Sequence, residues 1–509
     1  MQESLTGRID NGLNNMGDDK NAGANRHGAW SAVCFVTLGC KVNQAESEAM
    51  AQLFRHAGYA VVDSSAAADV VVVNTCTVTN TGGSKSRQAI RRMIKAHPDS
   101  LVVVMGCYAQ TAPGDVLDIP GVDLVLGTQD RTQVLDWIER VKQERKPQSA
   151  VRDIWQATEF EELPLLEGES RMRAVLKIQE GCNKFCTYCI IPYARGPVRS
   201  RRPENALAEA RRLVEAGYRE IVLTGIHTGS YGEDLPGNWD LARLVRELSG
   251  MAGLRRLRLS SIEPMEFTPG LVETIVASPV VCPHLHIPLQ SGSDAVLARM
   301  QRPYILSEYR SLLTELKAKI PDLAVTTDII TGFPGETASD HQNALDFARA
   351  CGFAGMHVFP FSRREGTPAA AYPGQVPNKV KEVRVKEMIT VAQESQREFV
   401  RRFFGRSMDI LVEQVTDQGT ARGHTANYIE VEMPAPENGG AWQAGQFATI
   451  VLREEYLRNT GDRRQETGVR GDRSQESVGV RRQKTGGVRR QKTGGDWSTR
   501  NQERECPVR

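Results

Sequence analysis

Three cysteines stand closest to chemistry. Cys182, Cys186 and Cys189 fall in the segment Gly181-Cys182-Asn183-Lys184-Phe185-Cys186-Thr187-Tyr188-Cys189. Three thiolates at that spacing can wrap one face of a small iron–sulfur cluster. Neither a Cys nor a His follows close behind in the chain. One iron of a 4Fe–4S cubane is then left without a protein ligand, much as catalytic zinc keeps one position open. An open iron implies a substrate or cofactor bound to it. A structural zinc site would want four ligands.

A second set is dispersed. Cys40, Cys76 and Cys107 lie 36 and 31 residues apart, each just after an apolar run: VTLGC, VVVNTC and VVVMGC. That interval is close to one βα unit. In an open parallel sheet the strand C-termini converge on one edge, where ligands bind. The three remote thiols are therefore expected at one point, as a second metal or cluster site. Packing cysteines would fall within the strands instead. Cys34, Cys282 and Cys351 have no partner spacing and are expected in the core, and Cys506 is a tail thiol.

The elements that must position these residues follow from periodicity. Residues 32–144 alternate apolar runs with helical patterns such as Glu46–Ala57 and Lys85–Ala96, which predicts an α/β domain with an open, flavodoxin-like parallel sheet. Residues 145–170 are polar and acidic, as in a linker. Residues 171–404 hold six candidate strands, Ala174–Gln179, Glu220–Thr224, Arg256–Ser260, His284–Leu289, Ala324–Ile330 and Gly355–Phe361. Six βα units predict a partial TIM barrel, (β/α)6, with its chemistry at the strand C-termini. The Cys182 triplet follows the first of these strands. Residues 405–453 turn to β character and have the size of one small β-barrel.

Several strand-end residues are candidate cofactor contacts: Gly225 after the second barrel strand, Glu263 after the third, Gln290 and Ser291 after the fourth. Gly225 and Gly292 serve equally well as turn glycines. His227 and His286 lie at or near strand ends, facing the site or satisfied structurally. Arg195, Arg199, Arg201 and Arg202 form a basic run, for a carboxylate, an RNA phosphate or plain solvent.

The composition, 40% hydrophobic and 25% charged, is that of a globular protein. No apolar stretch is long enough to cross a bilayer, and residues 1–31 lack a signal-peptide core. A disordered leader, no membrane association and a cytoplasmic location are the expectations. Reduced thiols held for metal chemistry then outweigh a disulfide scaffold. The net charge of +2 hides a basic, repetitive tail at 454–509, where RRQKTGG occurs twice. From Arg458 onward there are 14 Lys and Arg against 7 Asp and Glu. The tail cannot bury a core and is expected to be disordered. Without it the chain is slightly acidic, so charge gives no support for nucleic-acid binding.

The CxxxCxxC spacing at the start of a partial barrel resembles the radical-SAM superfamily. The strings Thr37-Leu38-Gly39-Cys40-Lys41-Val42-Asn43-Gln44, Asn74-Thr75-Cys76-Thr77-Val78-Thr79-Asn80, Gly106-Cys107-Tyr108-Ala109-Gln110 and Tyr193-Ala194-Arg195-Gly196 resemble its methylthiotransferase family. Gly423-His424-Thr425-Ala426-Asn427-Tyr428 resembles a TRAM domain, a small RNA-binding β-barrel. The resemblance covers about 32–453 in the family's domain order. It implies S-adenosylmethionine (SAM) on the open iron of the Cys182, Cys186, Cys189 cluster, with Tyr188 beside the adenine. It implies an auxiliary 4Fe–4S cluster on Cys40, Cys76 and Cys107 that carries the sulfur. One SAM methylates that sulfur. A second yields a radical that abstracts hydrogen from an unactivated carbon, chemistry that side-chain acids and bases do not supply.

The string TLGCKVNQ resembles the branch that modifies N6-threonylcarbamoyladenosine at tRNA position 37. Isopentenyladenosine in tRNA and a ribosomal protein are the family's other substrates. The implied partners are the tRNA anticodon loop, with His424, Asn427 and Tyr428 as candidate RNA contacts, and an electron donor such as flavodoxin or ferredoxin. A reading from another class is a non-catalytic iron–sulfur protein that binds RNA, which would need closed, four-ligand clusters.

Overall fold

The computed structural model describes residues 31–78, 80–163, 173–436 and 440–457. The basic repeats, Cys506 and nearly all of the expected leader lie outside these. The valine runs form six parallel strands, β1 (Ala32–Thr37), β2 (Ala60–Val62), β3 (Val70–Thr75), β4 (Leu101–Gly106), β5 (Leu124–Val125) and β6 (Gln148–Ser149). Their order is β2-β1-β3-β4-β5-β6, the flavodoxin-like order with one strand added. Every residue of β3 and β4 is buried, as a sheet covered on both faces requires. Val33, Val72 and Val103 pack with Phe54 and Ile138 on one face. Val71, Val73 and Val104 pack with Ile90 and Ala109 on the other. The segment expected as a linker contributes β6 and so closes this sheet's edge.

Six parallel strands follow in chain order around an open barrel: β7 (Arg173–Glu180), β9 (Glu220–Gly225), β10 (Arg256–Leu259), β11 (His284–His286), β12 (Ala324–Thr331) and β13 (Gly355–Pro360). A short β8 (Arg199–Ser200) returns antiparallel against β7. Isolated bridges from Leu257 to Val281 and Ser261 to His286 join the two halves of the barrel sheet. All six overlap the strands expected from sequence, the fourth ending at His286 rather than Leu289. Leu285, Val325, Ile329, Met356 and Val358 face the helices, with Leu313, Ala344 and Met388. By strand alternation His286, Thr326, Asp328 and His357 face the lumen.

The C-terminal region is an antiparallel sheet in the order β16-β15-β14-β17, from β14 (Ser407–Val415), β15 (Ala421–Thr425), β16 (Glu430–Met433) and β17 (Phe447–Val451). No pairing closes β16 onto β17 among the described residues, so the expected small barrel is an open sheet here. Arginines from the barrel seat it. Arg256 donates to the carbonyls of His424 (3.1 Å) and Asp409 (2.7 Å), and Arg258 to that of Ala426 (3.1 Å). Glu220 holds both guanidinium groups in place.

The first domain joins the barrel through buried charge. Glu46 lies on the inner face of helix Lys41–His56. Arg195 Nη1 donates to it at 2.5 Å and Lys177 Nζ at 2.8 Å. Arg131 Nη1 lies 2.6 Å from it, a charge contact without hydrogen-bond alignment. Glu180 takes Arg195 at 3.2 Å and also pairs with Lys177. Burial alone would raise the Glu46 carboxyl. Arg131, Arg195 and Lys177 outweigh it and hold the group well below its ordinary range. A carboxyl lowered in the fold contributes stability above its unfolded pKa and loses it only as pH falls through the lowered value. Glu46→Ala leaves these cations facing each other in a dry interface. It is expected to cost about 3–5 kcal/mol, read from urea unfolding at neutral pH. An unchanged midpoint would show that the network does not hold the domains together.

Candidate functional site

The Cys182 loop begins where β7 ends. Gly181 has φ +77°, and a Cβ there would meet the Pro197 carbonyl oxygen at 1.8 Å, so only glycine fits. Cys182 N–H donates to the Gly196 carbonyl at 3.0 Å. Thr187 ties the loop to the barrel through the carbonyls of Arg299 (3.0 Å) and Met300 (3.2 Å). Phe185 adopts a left-handed φ of +48°, unusual for a bulky side chain. The Cys182, Cys186 and Cys189 thiols lie within reach of one another's charge, and burial pushes Cys189 up to about 12. Burial also raises Cys186, while the Arg302 guanidinium 3.3 Å from its sulfur pulls the other way. Arg302 in turn pairs with Glu263.

His227 completes this side. Burial would lower its imidazole, yet the Cys182 thiol and the Glu266 carboxylate, whose Oε1 lies 2.5 Å from Nε2 without hydrogen-bond alignment, raise it to about 10. Its Nδ1 meets Ser230 Oγ at 2.8 Å.

Cys40, Cys76 and Cys107 also come together, at the C-terminal edge of β1, β3 and β4. Cys40 is exposed and immediately precedes helix Lys41–His56. Cys76 follows β3, and Cys107 opens helix Cys107–Thr111. At Gly39, with φ +109°, a Cβ would lie 3.0 Å from that of Cys76, so glycine lets the Cys40 loop approach. Burial pushes Cys107 up to about 12, with Arg195 opposing and both Cys76 and Cys40 adding to the rise. Arg195 Nε donates to Cys107 Sγ at 3.1 Å.

Both donor sets suit an iron–sulfur cluster. Each offers three thiols free of disulfides. Each also has a buried guanidinium, Arg302 or Arg195, to balance the thiolate charge that ligation requires.

Arg195 was one of the basic run expected to meet a carboxylate, a phosphate or solvent. The structure buries Arg195, Arg199 and Arg201 and gives carboxylates to two of them. Arg195 takes Glu46 and Glu180; Arg201 takes Glu162 and Glu209. Tyr188 packs beside Met300, Phe333 and Phe361. Gly225 abuts Gln179, whose Oε1 accepts from the His227 N–H at 2.7 Å. Gly292 packs on the backbone of Ala344. Gln290 takes φ +64° and Ser291 is buried. Cys34, Cys282 and Cys351 are buried in packing positions. The His424, Asn427 and Tyr428 side chains sit at the joint between C-terminal sheet and barrel. Tyr428 stacks on His284 and on His424, each with centroids 4.7 Å apart, and Asn427 is buried.

Glu46, Lys177, Glu180, Arg131 and Arg302 were not anticipated. Glu46 had a signal: it shares a helical stripe with Val42, Ala49, Met50 and Leu53, where a lone carboxylate is out of place. Arg302 had none.

Beside both thiol sets runs a cleft of about 1120 Å³, lined by Arg87, Tyr108, Arg152, Trp155, Tyr193 and Arg364 among others. At its mouth Trp155 stacks on Phe185 at 5.5 Å, and Tyr193 meets Phe185 edge-on at 6.0 Å. All three rings are about 40% exposed.

Comparison with known proteins agrees with this architecture. Residues 176–348 match the radical SAM superfamily, and residues 32–127 match a family described as "Uncharacterized protein family UPF0004". A solved radical SAM methyltransferase, TsrM from Kitasatospora setae, shares the fold with a TM-score of 0.51 and 13% identity, over 67% of this chain and 74% of that one. Fold and motif thus define a radical-SAM protein, a class that uses SAM and a 4Fe–4S cluster. The threonylcarbamoyladenosine tRNA methylthiotransferase MtaB of Bacillus subtilis is 45% identical over 84% of this chain and 99% of its own. A tRNA-2-methylthio-N(6)-dimethylallyladenosine synthase of Moorella thermoacetica is 37% identical over 79% and 92%. The chain belongs to the radical-SAM methylthiotransferase family.

Thiol reactivity tests the site's geometry directly. In the cluster-free chain, iodoacetamide is expected to label exposed Cys40 well before Cys76 and Cys107, by about tenfold or more. Mass spectrometry of timed digests reads the order. Equal labelling of the three would contradict the burial described.

Proposed function

We propose that the chain is a tRNA methylthiotransferase that replaces the C2 hydrogen of N6-threonylcarbamoyladenosine at position 37 with a methylthio group. The observation that carries this reading is Arg195. It follows the Cys182 triplet in the chain, yet its guanidinium touches Cys107 of the other triplet. Its neighbour Gly196 accepts from the Cys182 N–H, and two three-thiol sets joined through this one segment suit a reaction with two metal centres better than a closed electron carrier.

In this reading Cys182, Cys186 and Cys189 hold one 4Fe–4S cluster, and Cys40, Cys76 and Cys107 hold a second. When bound, the clusters and two SAM molecules supply the sulfur donor and the means to break a strong C–H bond. The chain's own residues position and shield. Arg302 and Arg195 balance thiolate charge, Glu263 fixes Arg302, and Gln179 with His227 orders the wall beside Cys182. The electron comes from a partner such as reduced flavodoxin or ferredoxin.

The threonylcarbamoyl substituent is favoured by the 45% identity to the B. subtilis protein, against 37% for the dimethylallyl synthase. We assign the domains as 32–144, 171–404 and 405–453, the last as a TRAM domain. RNA is served by the Trp155, Phe185 and Tyr193 rings beside Arg87 and Arg152, because exposed aromatics next to cations stack unpaired bases.

Four measurements test the reading. Anaerobic reconstitution should load about eight irons per chain. Cys186→Ala should abolish SAM cleavage, whereas Cys76→Ala should keep cleavage and stop methylthiolation; identical behaviour would refute the division of labour. Trp155→Ala should weaken binding of an anticodon stem-loop about tenfold in a filter-binding assay, and unchanged affinity would remove the aromatic platform. The substrate itself is decided by nucleosides of tRNA from a strain lacking the gene. Loss of methylthio-threonylcarbamoyladenosine alone is expected, and its persistence would sink the assignment.

A further inference from the structure

One wall of the large cleft carries a charge that the protein itself leaves open. Arg87 lies half-buried on helix Asn80–Ala96. Its Nη1 donates to the Tyr108 hydroxyl at 3.0 Å and its Nη2 to Ser84 Oγ at 3.2 Å. The guanidinium also sits 5.6 Å from the Tyr108 ring centroid. All of these partners are neutral. By contrast Arg131, Arg195, Arg201, Arg258 and Arg302 each hold a carboxylate. Asp115, Asp153 and Glu365 line the same cleft. Asp153 accepts from the Trp155 N–H at 3.1 Å, and none of the three pairs with Arg87 among the described residues.

A second guanidinium reaches the same place from the barrel. Arg364 follows β13 and donates to Thr77 Oγ1. A Cβ on Gly83 would lie 3.4 Å from Arg364 Nη1, 3.8 Å from Arg87 Nη1 and 3.8 Å from Tyr108 Cε2. The two guanidinium groups thus flank one point on the cleft wall, and Gly83 adds no side chain there. Like charges so placed repel, and an anion that takes up both planar forks relieves them. The rest of the cleft says which anion. It measures about 1120 Å³, and the Trp155, Phe185 and Tyr193 rings stand at its mouth. Stacking faces near paired guanidinium groups match a base and its phosphate better than a small free anion.

We propose that Arg87 and Arg364 form a phosphodiester subsite that grips one backbone phosphate of the bound RNA. The proposal rests on the RNA reading above, in which the rings stack bases, and adds the contact that fixes the strand's register. Tyr108 and Thr77, which accept from these two arginines, directly follow Cys107 and Cys76. The phosphate is thereby tied to the sheet edge that carries the second thiol set.

The test is filter binding of an anticodon stem-loop to the iron-loaded protein across a series of salt concentrations. Arg87→Gln and Arg364→Gln should each weaken binding about tenfold at low salt. Each should also make log Kd depend on log salt less steeply, by about one. Trp155→Ala should lower affinity with the slope kept, because stacking releases no counterions. Stem-loops with one linkage at a time changed to an uncharged methylphosphonate then locate the contact on wild-type protein, however the variants fold. One such change should cost wild type about tenfold and cost Arg87→Gln nothing. An unchanged slope in Arg87→Gln, or no linkage whose cost vanishes in that variant, overturns the proposal. So does release of the stem-loop from wild type by micromolar inorganic phosphate, which would make this a free-anion site. Wild type that binds no stem-loop overturns the RNA reading and the subsite with it, whereas tight binding without such a linkage removes the subsite alone.

Discussion

A carboxylate removed from water must be surrounded by positive charge, and Glu46 is the carboxylate around which this molecule is assembled. Its helix belongs to the first domain, while Lys177 and Arg195 belong to the barrel. Neither domain satisfies its own charges alone. Arg195 would face Glu180 with half its donors idle, and Glu46 would be stranded beside Arg131. The interface is therefore specified by electrostatics of high stakes, where misregister costs far more than at an apolar seam.

That constraint reaches the chemistry because Arg195 has a further donor. One edge of its guanidinium satisfies Glu46 and Glu180, Nη2 donates to Asn43 Oδ1 at 2.7 Å, and Nε meets Cys107. Asn43 lies three residues from Cys40 and also donates to the carbonyls of Leu38 and Thr75, on either side of the thiol pocket. The planar fork fixes the angle between the barrel rim and the edge of the first sheet. Lysine, with one rotating point of charge, would hold the same net charge without that geometry. A separate set of arginines, Arg256 and Arg258, seats the C-terminal sheet at the other side of the barrel, so each junction in the chain is pinned by guanidinium groups.

Much of this was legible in the sequence. Apolar runs such as Val70–Asn74 and Leu101–Gly106 announce buried parallel strands, and Cys40, Cys76 and Cys107, each just past such a run, announce that three remote thiols meet at one edge of the sheet. The helix Lys41–His56 was expected to start at Glu46, because apart from Val42 its first turn is polar. Strand β15, Ala-Arg-Gly-His-Thr, offers no apolar alternation that would announce it; it is held by its neighbours β14 and β16. The partners of the arginines were not legible at all. Arg195 and Glu46 are 149 residues apart, and pairing of that kind is set by the packing of two finished domains, which leaves no local pattern. A polar triad in the barrel lumen was hidden likewise: His286, Asp328 and His357 each look like an isolated polar residue in a strand until the register of β11, β12 and β13 aligns them.

The account stands on Arg195 as the side chain that keeps the two thiol sets in working relation. The direct test is the yield of methylthio nucleoside per 5′-deoxyadenosine formed, in an Arg195→Met enzyme whose iron content matches wild type. A lost fork should let SAM cleavage continue while product falls, lowering that yield by about 100-fold. An unchanged yield in the iron-replete variant would show that the two sites hold their geometry without it, and the account would be wrong.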